Sequence, residues 1–177
     1  GANYSYMTGN DINGDGYNYD AIYVPTDEEV ASNQFRFVSE SDKTRFMDYV
    51  HADDSLKNQQ GKYAEAYSVY SPWLHRIDFS YKHDFTVKTG ENKHKLQLSL
   101  DVNNVMNLFN SRWGVAKYLN PEIGSEARIL KYEGVDAEGV ATFSTPSSIN
   151  GNTKTFTPMY TLGQCWYASI GIKYLFN

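Results

Sequence analysis

Cys165-Trp-Tyr-Ala-Ser-Ile-Gly-Ile-Lys-Tyr-Leu-Phe176 decides how the rest of the chain is read. Successive side chains of a strand point to opposite sides. Trp166, Ala168, Ile170, Ile172, Tyr174 and Phe176 therefore share one face, and Tyr167, Ser169, Gly171, Lys173 and Leu175 the other. The first face is an apolar band with an aromatic residue near each end. Membrane β-strands carry such a pattern, because aromatic girdles mark both lipid interfaces.

Two further stretches repeat it. In 76–88, Ile77, Phe79, Tyr81, Phe85 and Val87 share a face, with His83 as the exception, opposite Arg76, Asp78, Ser80, Lys82, Asp84, Thr86 and Lys88. In 95–103, Leu96, Leu98, Leu100 and Val102 alternate with Gln97, Ser99, Asp101 and Asn103. Thr89-Gly-Glu-Asn92 between them holds the glycine that tight turns favour, so the two form a hairpin. The segments 8–73 and 104–163 on either side are far longer than the connections of a compact domain. Short turns at one end and long loops at the other are the asymmetry of an outer-membrane barrel. Within the long segments, Ser41 to Val50 reads as a short helix. Ala127–Tyr132, Val140–Thr145 and Lys154–Thr157 read as short strands between Gly, Pro and Asn.

Composition alone does not raise the membrane question. The chain has 177 residues, 41% hydrophobic, with mean hydropathy −0.57, net charge −5 and pI 5.3. No apolar run is long enough for a transmembrane helix. Aromatics reach 15%, with 15 Tyr and 3 Trp, which fits interfacial belts and equally a carbohydrate-binding β-domain. The acidic balance, with no Lys/Arg stripe, argues against a nucleic-acid partner. The single cysteine, Cys165, excludes an intrachain disulfide framework and reads as a small filler. With no start methionine and no signal peptide, the chain is expected to be a portion of something longer.

The most specific local motif is Asn10-Asp-Ile-Asn-Gly-Asp-Gly-Tyr-Asn-Tyr-Asp20. Asp11, Asn13, Asp15 and Gly16 reproduce the first half of an EF-hand calcium loop, and Tyr17 is placed to offer its carbonyl. The closing Glu is absent, Ile22 standing in its place, and Asp20 could substitute. The competing reading is an Asx/Gly-rich surface turn without metal. No catalytic motif stands out, and no enzymatic activity is expected: His51, His75, His83 and His94 lack metal-ligand spacing. His75-Arg76-x-Asp78 reads as an acid/base cluster or, preferably, as part of a charge ladder with Lys82, Asp84, Asp101 and Lys173. Trp73, Trp113 and Trp166 suit membrane interfaces. Trp113 with Tyr118 could alternatively form a sugar-stacking platform.

Ser71-Pro-Trp-Leu-His-Arg-Ile-Asp-Phe79, Leu96-Gln-Leu-Ser-Leu-Asp-Val-Asn-Asn104, Asn107-Leu-Phe-Asn110, Trp113-Gly114 and the terminal strand occur in this order. Together they make the chain resemble the C-terminal end of TonB-dependent outer-membrane receptors, in particular the Bacteroidetes type. The final Asn177 departs from that pattern, since such chains often end on the aromatic. The resemblance implies an all-β fold: antiparallel strands forming the C-terminal segment of a large transmembrane β-barrel of about 22 strands. Residues 1–177 would be one barrel portion, with strands at about 1–7, 75–88, 94–106 and 164–176. Extracellular loops would take about 8–73 and 107–163, and the plug domain would not be in this chain. It further implies TonB-dependent nutrient uptake at the bacterial outer membrane. Partners would be the rest of the receptor, outer-membrane lipid, the TonB complex through the missing part, and a surface lipoprotein. The alternative is a soluble or cell-surface β-domain that binds glycan or protein.

Overall fold

The computed structural model describes residues 2–124 and 126–176, of Phe176 the backbone alone. Asn177, and with it the departure at the chain's end, lies outside the described residues. In chain order the first elements are β1 (Asn3–Tyr4), β2 (Met7–Thr8), β3 (Tyr23–Val24), α1 (Asp27–Ala31), β4 (Arg36–Phe37), α2 (Glu40–Ala52), α3 (Asp54–Lys57), β5 (Lys62–Tyr63) and β6 (Val69–Tyr70). They are followed by β7 (Phe79–Thr89), β8 (Asn92–Asn103), α4 (Val105–Phe109), β9 (Lys117–Leu119), β10 (Arg128–Val135), β11 (Ala141–Ser144), β12 (Phe156–Pro158) and β13 (Tyr167–Phe176).

This corrects the expected fold class. The chain is mixed, 17% helix and 36% strand, in several small sheets of which none closes into a barrel. Nor can 177 residues supply about 22 strands. The physical reason is that residues read as surface loop carry their own apolar residues and helix caps, and they fold around them. The chain divides into two units, Gly1–Pro72 with Tyr118–Thr157, and Trp73–Lys117 with Pro158–Asn177.

The first unit has a core of its own, in which Tyr6, Ile22, Phe46, Tyr49, Leu56 and Ile129 are fully buried. The helix expected at 41–50 runs from Glu40 to Ala52. Ser39 caps it, its Oγ accepting the Asp42 amide at 3.1 Å, and Glu40 and Asp42 favour the positive end of the helix dipole. Phe46, Met47, Tyr49 and Val50 are the face it buries. Thr26 and Glu29 close a capping box on α1, with bonds of 3.2 and 2.8 Å. A four-stranded sheet, in the order β2-β10-β11-β4, packs with these helices. Its β10–β11 hairpin shifts register at Gly134, whose φ of 117° suits glycine, and Arg36 ties the turn through Asp136 and Glu138.

Asp42 makes this unit sensitive to acid. Burial alone would raise its pKa, but hydrogen bonds from Ser39 and the Thr145 amide, with the charge of Arg45, hold it below the usual carboxylate range. A depressed folded pKa adds stability above the unfolded value of about 3.9, lost as pH falls through the folded value. Chemical denaturation of wild type and Asp42→Asn should therefore differ most at neutral pH and converge in acid. A constant difference down to the acid limb would contradict this.

The second unit is built on an antiparallel sheet in the order β13-β8-β7. The β7–β8 connection is the expected tight turn, with Gly90 at φ 65° in the first central position, where a type II′ turn places glycine. All three strands start or stop differently from the sequence reading: β7 begins at Phe79, β8 runs from Asn92 to Asn103 before α4 takes over, and β13 begins at Tyr167.

Candidate functional site

The register of the second unit's sheet aligns its apolar residues in rows. Phe79–Val102–Ala168, Tyr81–Leu100–Ile170, His83–Leu98–Ile172 and Phe85–Leu96–Tyr174 each run across three strands on one face. From Val102 to Leu96 the four rows span about 20 Å at about 3.4 Å per residue, and Val87 on β7 carries the band to about 27 Å. It is not covered: Ile170 is 79% exposed, Ile172 72% and Val87 62%. His83 lies on this face between the rings of Tyr81 and Phe85, 6.3 and 4.5 Å between centroids. The side chain of Phe176 lies outside what the structure describes.

The other face is polar, and its charges pair locally. Asp84 accepts from Lys95 at 2.6 Å and from Gln97 at 2.8 Å, and Asp101 from the Ser80 hydroxyl at 2.6 Å. Arg76 bonds Asp78 at 3.2 Å, and Asp78 also accepts the Asn104 amide at 2.7 Å. Among the described residues Lys82 and Lys173 form no ion pair, so the ladder is composed of separate contacts. Among the described residues His75 makes no hydrogen bond or ion pair with Arg76 or Asp78, which bond each other instead.

Asn104 and Asn107 act as a latch at the end of the sheet. Asn104 is fully buried with φ 53°, and its Nδ2 donates to the Gly114 carbonyl at 3.0 Å and the Gln164 carbonyl at 2.7 Å. Asn107 Nδ2 donates to the carbonyls of Ser111 and Trp113, while its Oδ1 accepts the Trp166 amide at 3.1 Å. The Asn-Leu-Phe-Asn element thereby fixes where β13 begins. Residue order displayed this motif, but its role depends on contacts distant in sequence.

In the first unit the residues of the candidate calcium loop come together through hydrogen bonds. Asp11 accepts the amides of Gly14, Asp15 and Gly16 at 2.6, 3.2 and 2.8 Å. Asn13 Oδ1 accepts the Asp15 amide, Asp15 accepts that of Tyr17, and Asp20 accepts those of Ile12 and Asn13. Those of Asn13 and Asp15 are Asx turns, Asp20 reaches back across the loop, and each carboxylate keeps at least one lone pair for a cation. Among the described residues no group of three or more His, Cys, Asp or Glu is arranged to hold a metal ion. Trp113 lies in the second unit and Tyr118 in the first, each with an exposed ring.

Two clefts in the first unit were not foreseen. One, of about 430 Å³, is lined by Tyr4, Ser5, Tyr19, Tyr67 and Glu126 among others. The second, of about 290 Å³, takes in Asp20, Tyr23 and Tyr63, and the two share Ala21. The signal available in sequence was the density of tyrosines in 1–72, which has no periodicity to read. The chain matches no protein-family model, no curated protein and no solved structure.

Proposed function

We propose that this chain works at a bacterial outer membrane in TonB-dependent uptake of a nutrient, with the apolar face of the β13-β8-β7 sheet turned to lipid. The observation that carries the reading is the uncovered apolar band. Its four complete rows span about 20 Å, and about 27 Å with Val87, against about 25 Å for the apolar band of membrane β-proteins. Strands of 11, 12 and 10 residues have the length for such a crossing. A patch this size exposed to water would be an aggregation liability. In lipid the outer edges of β7 and β13 would need partner strands, since unpaired backbone groups are costly there. The resemblance at 71–114 and 164–176 supports the uptake role, with the rest of the receptor, the TonB complex and a surface lipoprotein as partners.

The first unit suits water. It carries 17 Asp and Glu against 8 Lys and Arg, a net −9, whereas the second carries 4 against 8, a net +4. Calcium is proposed as the ligand of the 11–20 loop, where it would order the loop and perform no chemistry. A rise in melting temperature on titrating calcium, absent in Asp11→Ala, tests it.

The membrane reading is tested by flotation. The full chain should require detergent to stay monodisperse and should float with phospholipid vesicles in a density gradient. A monodisperse protein in detergent-free buffer that stays at the bottom would overturn it and favour the surface binding domain.

A further inference from the structure

We propose that Asn150 is a site of spontaneous deamidation and isoaspartate formation in the first unit, and that the loop at 11–20 shields Asn13 from the same chemistry. The tripeptide Ile-Asn-Gly occurs twice in the chain, as Ile12-Asn13-Gly14 and as Ile149-Asn150-Gly151. Glycine after asparagine leaves the next backbone nitrogen open to approach, because no Cβ screens it. Both asparagines are exposed, and both form the same Asx turn. Asn13 Oδ1 accepts the Asp15 amide and Asn150 Oδ1 the Asn152 amide, each at 2.9 Å. Local sequence and polarisation of the side-chain carbonyl are therefore matched. The surroundings of the attacking and leaving nitrogens set the two positions apart.

The reaction requires the glycine amide to lose its proton and attack the asparagine Cγ. At Asn13 that amide is held, since Gly14 N–H donates to Asp11 Oδ1 at 2.6 Å, and a carboxylate so close disfavours the amide anion. The leaving nitrogen is held too: Asn13 Nδ2 donates to Asp15 at 3.2 Å and to Asp20 at 2.9 Å. Among the described residues neither the Gly151 amide nor Asn150 Nδ2 makes a hydrogen bond. Asp48 on α2 packs against Gly151, where an added Cβ would lie 3.1 Å from the Asp48 Cβ, but its carboxyl does not hold that amide.

At Asn150 hydroxide takes the Gly151 amide proton and the nitrogen attacks Cγ. The new N–Cγ bond closes a succinimide ring, the Cγ–Nδ2 bond breaks, and ammonia leaves with a proton from water. Water then opens either ring carbonyl, giving aspartate or isoaspartate. Water is consumed and ammonia released in equal amounts, with no oxidant or reductant. Isoaspartate lengthens the main chain by a methylene inside a turn that Thr153 clamps. The Thr153 amide donates to the Asn150 carbonyl at 3.0 Å, and the Asn150 amide donates to Thr153 Oγ1 at 3.1 Å. With Ile149 fully buried beside it, this change loosens the core of the first unit.

The test ages the full chain in detergent micelles, in mildly alkaline buffer with a chelator that keeps calcium from the 11–20 loop. Peptide mapping with electron-transfer fragmentation reads each asparagine. Asn150 should convert roughly tenfold or more faster than Asn13, since a hydrogen bond to a charged group is worth at least that factor. In urea the two rates should converge, because the tripeptides are the same. Asp11→Ala, which frees the Gly14 amide, should speed conversion at Asn13 and leave Asn150 unchanged. Aged protein should unfold at lower urea than fresh protein, whereas Asn150→Asp, with the charge but the normal linkage, should stay close to fresh protein. The proposal is overturned by equal or faster conversion at Asn13, by Asn150 remaining intact when the unfolded chain has converted, or by an Asp11→Ala variant in which Asn13 is no faster. None of these results depends on whether the second unit meets lipid or the loop binds calcium.

Discussion

Gly114→Ala should destabilise the second unit on the order of 3 to 5 kcal/mol, combining left-handed backbone strain with disrupted buried hydrogen bonds. Gly114 has φ 64°, and a Cβ placed there would lie 1.9 Å from Asn104 Oδ1. Asn104 cannot step aside cheaply, because its Nδ2 holds the carbonyls of both Gly114 and Gln164. Moving it would release the segment before β13 and leave buried carbonyls unpaired. A loss of this size is a large share of a typical domain's stability of about 5–15 kcal/mol. Urea denaturation followed by the fluorescence of Trp113, next to the substitution, reads it directly. Asn104→Gly alone should also destabilise, yet combined with Gly114→Ala it should cost less than the two single changes together, because the clash is gone. Equal stability of Gly114→Ala and wild type would refute the latch.

Asp53→Ala should cost the first unit about 3 kcal/mol, from a lost cap and two lost hydroxyl-to-carboxylate hydrogen bonds. One oxygen of Asp53 caps α3, accepting the amides of Ser55 and Leu56 at 3.0 and 3.1 Å. The other accepts the Tyr6 hydroxyl at 2.9 Å and the Thr155 hydroxyl at 2.5 Å. Tyr49 completes the knot, 3.1 Å from Tyr6 and 3.0 Å from Thr155. Burial is the main reason that Tyr6 is held protonated far above the usual phenol range and that the pKa of Tyr49 is pushed up to about 12. Tyr6→Phe removes one hydroxyl without a cavity, so its cost should be clearly smaller than that of Asp53→Ala. Denaturation monitored by circular dichroism would show the order, and the reverse order would mean that Asp53 contributes little beyond its cap.

How far these features were legible depended on length and period. The three long strands were readable because nine or more residues sustain alternation with few exceptions, and the tight turn because Gly90 lies between β7 and β8. The helix at 40–52 announced itself through Phe46, Met47 and Val50 after a run of polar residues. By contrast, β1 to β6 are two residues each, too short for any period to appear. Their core partners Tyr6, Ile22 and Ile129 are scattered along the chain and meet only in three dimensions. That is why 8–73 and 107–163 read as loops and why an all-β barrel segment was expected. The first cleft escaped notice for the same reason, since Tyr4, Tyr19 and Tyr67 converge from separate segments. The Asp11–Asp20 loop was local, and its residues do gather.

One face of the β13-β8-β7 sheet is proposed to meet lipid and the other not. The most direct measurement places a nitroxide label, one site at a time, at Ile170, Gly171, Ile172 and Lys173 after Cys165 has been replaced by Ser. The protein is then reconstituted in phospholipid vesicles. Accessibility to oxygen, which concentrates in lipid, and to a water-soluble nickel chelate would be read at each site. Labels at 170 and 172 should favour oxygen and those at 171 and 173 the chelate, alternating with the strand period. Uniform access to the chelate at all four sites would contradict the claim.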